Sequence, residues 1–112
     1  MPQSKKYLGK EITAHIDRPL GSKHPTHGFE YMLNYGYIPN TLSSDGEELD
    51  AYILGVNTPL EKFTGLCIAI IQRLDDDDDK LILAPQHTTF SDEEIRTQTN
   101  FQEKFFSSII IR

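Results

Sequence analysis

Residues 64–74 have the sequence Thr-Gly-Leu-Cys-Ile-Ala-Ile-Ile-Gln-Arg-Leu. A strand formed by this segment would be apolar on both faces, and such continuous runs are typical of central strands. Cys67, the only cysteine of the chain, lies in this run and is expected to be a small buried hydrophobe. A single cysteine excludes an internal disulfide, which favours a reducing cytoplasm as the location.

Four further strands are predicted around this central one, each bounded by Gly, Pro or polar turn residues: residues 10–16, 29–37, 49–56 and 81–85. The second of these segments is rich in aromatic residues, which have high strand propensity. The third alternates and places Leu49, Ala51 and Ile53 on one face.

A helix is predicted over residues 92–106, because Ser91 and Glu94 have the spacing of a capping box at its start. Residues 107–112 are predicted to form either a closing strand or an extended tail. Five strands, one late helix and no internal repeat predict a single domain over residues 1–112. Its fold class is mainly β, a small five-stranded barrel with one C-terminal helix packed on it.

The charge balance bears on partners and location. The chain has 17 acidic and 11 basic residues and a net charge of −6, which argues against a nucleic-acid partner. No run approaches 18 apolar residues, so no membrane span or membrane partner is expected. The N-terminus has no apolar signal segment. We therefore expect a soluble cytoplasmic protein.

Two acidic clusters lie where predicted turns meet strands. Residues 45–50 have the sequence Asp-Gly-Glu-Glu-Leu-Asp, and residues 75–80 are five aspartates followed by lysine. Taken alone, such runs are usually solvated turns. The alternative is a Mg²⁺ site, since Mg²⁺ prefers oxygen ligands and is held by few carboxylates together with substrate phosphates. The spacing of a calcium-binding EF-hand loop is missing from both clusters.

A zinc site is a weaker interpretation. His24 and His27 are closely spaced, but Cys67 is the only thiol and the other two histidines are scattered along the chain. A structural zinc site needs four ligands at a recognisable spacing. The sequence therefore disfavours zinc.

Several short motifs follow one another in an informative order. Residues 34–39 have the sequence Asn-Tyr-Gly-Tyr-Ile-Pro, and the two acidic clusters follow, the second continuing into Leu81-Ile82; Phe-Gln-Glu comes at residues 101–103. In this order they resemble the N-Y-G-Y-I, D-x-D-P-x-D, D…D-x-K-L and F-F-E motifs of soluble inorganic pyrophosphatases. The resemblance spans roughly residues 12–106. It implies a five-stranded OB-like barrel, several bound Mg²⁺ ions, with Mn²⁺ as the alternative, and assembly into a homo-oligomer.

The resemblance also implies roles for particular residues. Glu47 takes the place of the aspartate that helps to activate the attacking water, and Lys80 and Tyr35 would contact phosphate as catalytic groups. Lys23 matches a phosphate-binding lysine, although a shift of one residue would place His24 there. Four aspartates would be metal ligands: Asp45, Asp50, Asp75 and Asp78.

The chain also departs from the family pattern. Glu47-Glu48 stands in place of Asp-Pro, and Phe105-Phe106 in place of a phosphate-binding Tyr-Lys pair. A hairpin that carries a phosphate-gripping arginine is missing, and Arg18 is its expected substitute as a substrate-binding residue. One extra methylene at position 47 is expected to lower the rate, because small misplacements of catalytic groups are costly.

The expected function is hydrolysis of inorganic pyrophosphate to two phosphates by a metal-activated water. Two alternatives remain open. The first is hydrolysis of another small diphosphate, such as a nucleoside diphosphate compound that enters where the Tyr-Lys pair is lost. The second is a catalytically weak or inactive OB-type binding or scaffold protein.

Overall fold

The structure is a computed structural model that describes residues 3–42, 46–75 and 78–112. A short 3-10 helix, Gln3–Tyr7, precedes the first strand. The strands in these ranges are β1 (Glu11–Arg18), β2 (Asn34–Tyr37), β3 (Asp50–Ile53), β4 (Lys62–Arg73), β5 (Asp79–Ala84) and β6 (Ser108–Ile111). The α-helix, α1, spans Asp92–Glu103 and lies between β5 and β6 in the chain.

Five strands close into a barrel in the order β1-β2-β3-β5-β4, and β4 pairs back with β1. Neighbours are antiparallel except β3 and β5, which run parallel. The length of β4 allows it to pair with β1 through its first half and with β6 through its second half. The predicted five-stranded barrel with one late helix is confirmed, and residues 107–112 contribute a strand that extends the sheet outside the closed ring.

The predicted strand over residues 29–37 is too long, because only Asn34–Tyr37 forms β2. The chain before it pairs locally instead: Lys23 and Glu30 form an isolated bridge, and the Tyr31 amide donates to the Ser22 carbonyl. The Tyr31 hydroxyl consequently reaches α1, where it donates to Gln102 Oε1 at 2.9 Å.

The start of α1 agrees with the prediction, whereas its end is earlier. The Glu94 amide donates to Ser91 Oγ and the Ser91 amide donates to Glu94 Oε1, so the capping box is formed. The helix ends at Glu103, and Phe106 lies beyond it with its ring centre 3.6 Å from the guanidinium carbon of Arg73. None of the helices in the described ranges is long and apolar enough to cross a membrane.

The two faces of the sheet carry separate cores. The first lies inside the barrel and contains the predicted buried face together with Cys67: Leu49, Ala51, Ile53, Leu81 and Leu83. Tyr52 and Ile82 belong to the opposite face and pack with Ile95 of α1. Since strand side chains alternate, Asp50 and Lys80 lie on this helix-covered face, at the start of β3 and of β5. The apolar packing gives way there to a polar cleft.

Candidate active site

The ammonium group of Lys80 lies at the centre of the site. Its Nζ donates to Asp50 Oδ2 at 2.6 Å, to Asp78 Oδ2 at 2.6 Å and to the Tyr35 hydroxyl at 2.8 Å. Lys80 is only 2% exposed. A buried charge is costly unless it is paired and hydrogen-bonded, and three acceptors match the three N–H donors of a lysine. The group is therefore held in one position by its partners.

Strand register brings these side chains together. Asp50 and Lys80 are Cα partners in the parallel pair of β3 and β5. Asp78 precedes Lys80 by two residues, and residues two apart in extended chain lie on the same face. Tyr35 lies on β2, opposite Tyr52 of β3. The cluster is thus assembled from three adjacent strands.

Burial and charge shift the titration of these groups. Burial raises the pKa of the Asp78 carboxyl, and the positive charge of Lys80 opposes that shift only in part. The pKa of Tyr35 is raised well above its usual value, first by burial and then by the carboxylates of Asp50 and Asp78. The Tyr35 hydroxyl therefore stays protonated at neutral pH. Asp17, on β1, also has a pKa raised by burial.

A second buried cation, Arg73, connects the site to α1. Its Nε and Nη2 donate to the two oxygens of Glu103 at 3.0 and 2.8 Å, and its Nη1 lies 3.5 Å from Asp78 Oδ2. Glu103 also accepts the hydroxyl of Tyr52 at 2.5 Å. Such paired contacts from a rigid guanidinium fix the geometry of both partners. The end of the helix and the ends of the strands are thereby joined by charged hydrogen bonds.

The site opens into a cleft of about 500 Å³. One part of its lining is charged: Asp17, Arg18, Asp50, Arg73, Asp78 and Lys80. Another part is aromatic: His24, His27, Phe29, Tyr31, Phe105 and Phe106. Cations beside convergent carboxylates are suited to a phosphate group bound together with a metal cation.

A sequence profile of known families adds the observation that decides the assignment. The inorganic pyrophosphatase profile matches residues 4–110, nearly the whole chain. The chain belongs to the inorganic pyrophosphatase family. The chain is accordingly a hydrolase of the inorganic diphosphatase class. No curated protein matches the sequence.

Solved inorganic pyrophosphatases share its fold. The protein from Ehrlichia chaffeensis has 18% identity and a TM-score of 0.69, with 90% of this chain and 84% of that one covered. The protein from Helicobacter pylori has 20% identity and a TM-score of 0.66, with coverages of 85% and 75%. The protein from Thermus thermophilus has 18% identity and a TM-score of 0.62, with coverages of 91% and 80%. At these identities the likeness demonstrates a common fold.

The inorganic pyrophosphatase family is generally metal-dependent, so the side chains of the cleft should suit a metal ion. Within residues 3–42, 46–75 and 78–112, no three His, Cys, Asp or Glu side chains form a metal-binding group. His24 Nδ1 accepts the amides of Thr26 and His27, which removes one of its two nitrogens from ligation. Asp50 and Asp78 do converge in the cleft, and one or two carboxylates completed by substrate phosphates suit a hard divalent cation. The residues fit a cation that is bound jointly with a diphosphate.

The structure brings some of the predicted site residues together and leaves others apart. Five of them line the cleft: Arg18, Tyr35, Asp50, Asp78 and Lys80. Glu47 and Lys23 are exposed and do not line it, although His24, next to Lys23, does. Asp75 accepts the Ser107 amide at 3.1 Å and is also absent from the lining. Asp45 lies outside the described residues. The roles of all these residues stay predictions.

Sequence reasoning missed Arg73 and Asp17 as members of the site. The signal for Arg73 was present: an arginine close to the end of a strand that is apolar on both faces requires an anionic partner. That partner, Glu103, lies 30 positions further along the chain and comes close only through the packing of α1. Asp17 enters the cleft beside Arg18 because the register of β1 against β2 shifts between Ile16 and Arg18.

We predict that Arg73→Gln lowers the free energy of unfolding by about 3–5 kcal/mol, because it leaves Glu103 buried without its cation. The side chains of Arg73 and Glu103 are 6% and 7% exposed. The matched control is Arg112→Gln, since Arg112 and Asp92 are 46% and 60% exposed, and its cost should be at most about 1 kcal/mol. Urea denaturation of both variants measures the difference. Equal costs would contradict a structural role for the buried pair.

Proposed function

We propose that the chain hydrolyses inorganic pyrophosphate to two phosphates in the cleft around Lys80, with Mg²⁺ as the cofactor and Mn²⁺ as the alternative. The observation that supports this most is the convergence of Asp50, Asp78 and Tyr35 on one buried ammonium within that cleft. We further propose that it acts in the cytoplasm as a homo-oligomer, with neither nucleic acid nor membrane as a partner.

Each substrate-binding group has a proposed task. Lys80 offsets the charge that develops on the departing phosphate, which is worth most in a site shielded from water. Tyr35, whose pKa is raised further by burial and by the neighbouring carboxylates, keeps its proton and donates its hydroxyl to a phosphate oxygen. Arg18, in the lining of the same cleft, binds the second phosphate. Lys23 adds positive charge on the neighbouring turn.

The carboxylates supply the cation site and the base. Asp50 and Asp78, with Asp45 and Asp75 as the further proposed ligands, would hold the cation. A hard divalent cation in such a site lowers the pKa of a water molecule and neutralises phosphate charge. Glu47 orients the attacking water or accepts its proton. The water oxygen then bonds to one phosphorus atom, and the bridging oxygen leaves with the other phosphate.

Asp50→Asn is expected to lower the rate of phosphate release from pyrophosphate in MgCl2 by on the order of a hundredfold or more. The substitution removes one of the two cleft carboxylates proposed to hold the cation. EDTA should abolish the activity of the wild type. Asp92→Asn, which alters an exposed carboxylate on α1, is the matched control and should retain activity.

Equal activity of the two variants would contradict the assignment of Asp50. Absence of phosphate release by folded wild-type protein would favour the binding or scaffold alternative.

Glu47→Gln should lower kcat by on the order of a hundredfold if Glu47 handles the proton of the attacking water. Glu48→Gln is the control, because Glu48 is the adjacent exposed glutamate of the same loop. Steady-state phosphate release of the two variants, measured side by side, tests the role. The same kcat for both variants would remove Glu47 from the mechanism.

A further inference from the structure

The aromatic part of the cleft lining is larger than a small anion requires. The rings of His27 and Phe29 are nearly parallel, at 3°, with centroids 6.3 Å apart. The Phe105 ring lies 6.3 Å from His27 and 6.1 Å from Phe29, inclined to them by 27° and 29°. Phe105 is nevertheless 58% exposed, so much of its surface is open to a ligand. We call His27, Phe29 and Phe105 the aromatic wall.

Pyrophosphate gains nothing from such a surface, because all its outer atoms are charged oxygens. The cleft volume of about 500 Å³ falls in the range of roughly 300–1,000 Å³ in which drug-sized ligands are bound. Phe105 and Phe106 also stand where the motif resemblance implies a phosphate-binding Tyr-Lys pair. One side of the cleft therefore offers flat aromatic surfaces where the resemblance implies polar phosphate contacts.

His24 adds a directed donor beside the wall. Its Nδ1 accepts the amides of Thr26 and His27 at 3.1 and 3.0 Å, which places the ring proton on Nε2. Its ring centroid is 4.9 Å from that of Phe29, and it lines the cleft. The pKa of His24 is lowered by burial and then by His27 and Arg18, so the ring is neutral at pH 7. A neutral N–H donor among aromatic rings suits the edge of a planar heterocycle.

We propose that the cleft accepts a diphosphate attached to a planar ring, of the nucleoside diphosphate class, with the ring stacked on the aromatic wall and the diphosphate at Lys80. The charged and aromatic parts of the lining belong to the same cleft, so one molecule can contact both. Hydrolysis of this ligand rests on the proposed function, whereas its binding does not. Stacking of a base on an aromatic side chain typically tightens binding by roughly five- to a hundredfold.

The reaction is the same phosphoryl transfer to water. The water oxygen forms a bond to the terminal phosphorus, and the bond from that phosphorus to the bridging oxygen breaks. The bridging oxygen keeps the electron pair and remains on the nucleoside monophosphate. The proton lost by the water passes to a carboxylate of the site and then to solvent. The products are a nucleoside monophosphate and orthophosphate.

Calorimetry with two non-hydrolysable probes in MgCl2 tests the binding. The probes are α,β-methylene-ADP, which carries a ring, and methylenediphosphonate, which does not. We expect the wild type to bind the ring-bearing probe at least about fivefold more tightly. Phe105→Leu should remove most of that preference, whereas Met32→Ala, at an exposed apolar residue that does not line the cleft, should keep it. No preference in the wild type, or a preference unchanged in Phe105→Leu, would overturn the proposal.

Phosphate release from ADP and from pyrophosphate separates this inference from the proposed function. A ring preference in binding without hydrolysis of either compound would support the aromatic wall and refute the hydrolase proposal. Hydrolysis of pyrophosphate without any ring preference would support the hydrolase proposal and refute ring binding by the aromatic wall. Release from ADP that falls more strongly than release from pyrophosphate in Phe105→Leu would support both.

Discussion

The burial of the Lys80 ammonium is the constraint on which the site depends. A lysine placed between β3 and β4 loses its hydration, and the carboxylates of Asp50 and Asp78 compensate for that loss. The pairing requires the parallel register of β3 and β5. A slip of one residue would move Lys80 to the barrel interior and Leu81 to the cleft. The strand register and the site therefore depend on each other through the two charged contacts of Lys80.

The second buried cation extends this arrangement to the helix. Arg73 contacts Asp78 on one side and Glu103 on the other, so the strand ends and the end of α1 share one hydrogen-bonded group. Tyr52 and Gln102 continue the network, since Gln102 Nε2 donates to the Tyr52 hydroxyl at 2.6 Å. These hydrogen bonds and ion pairs fix the positions of the strand ends relative to the end of α1. That network positions the residues after α1 that line the cleft, Phe105 and Phe106.

The strand pattern and the central members of the site are readable from the sequence, because both depend on local order. Alternation over residues 49–56 separates the barrel core from the face that carries Asp50. The two-residue spacing of Asp78 and Lys80 places both on one side of the extended chain where β5 begins. Only the order of the motifs assigns Asp50, Asp78 and Lys80 to one site, because neither acidic cluster alone distinguishes a solvated turn from a set of metal ligands.

What the sequence could not predict depends on contacts between distant segments. Asp75 bonds the Ser107 amide because β6 returns beside the turn that follows β4. Residues 29–33 have strand propensity but pair with the preceding turn instead of the sheet. In the aromatic wall, residues 27 and 29 contact residue 105 because α1 packs on the barrel and brings the chain after it close to them. Strand propensity and hydrophobic periodicity carry no information on such contacts between distant segments.

The most direct test of the account is a crystal structure of the wild-type protein grown with MgCl2 and methylenediphosphonate. We expect the diphosphonate in the cleft beside Lys80, together with a Mg²⁺ ion held by Asp50 and Asp78. A diphosphonate bound elsewhere on the molecule, or bound in the cleft with no ion on either carboxylate, would contradict it.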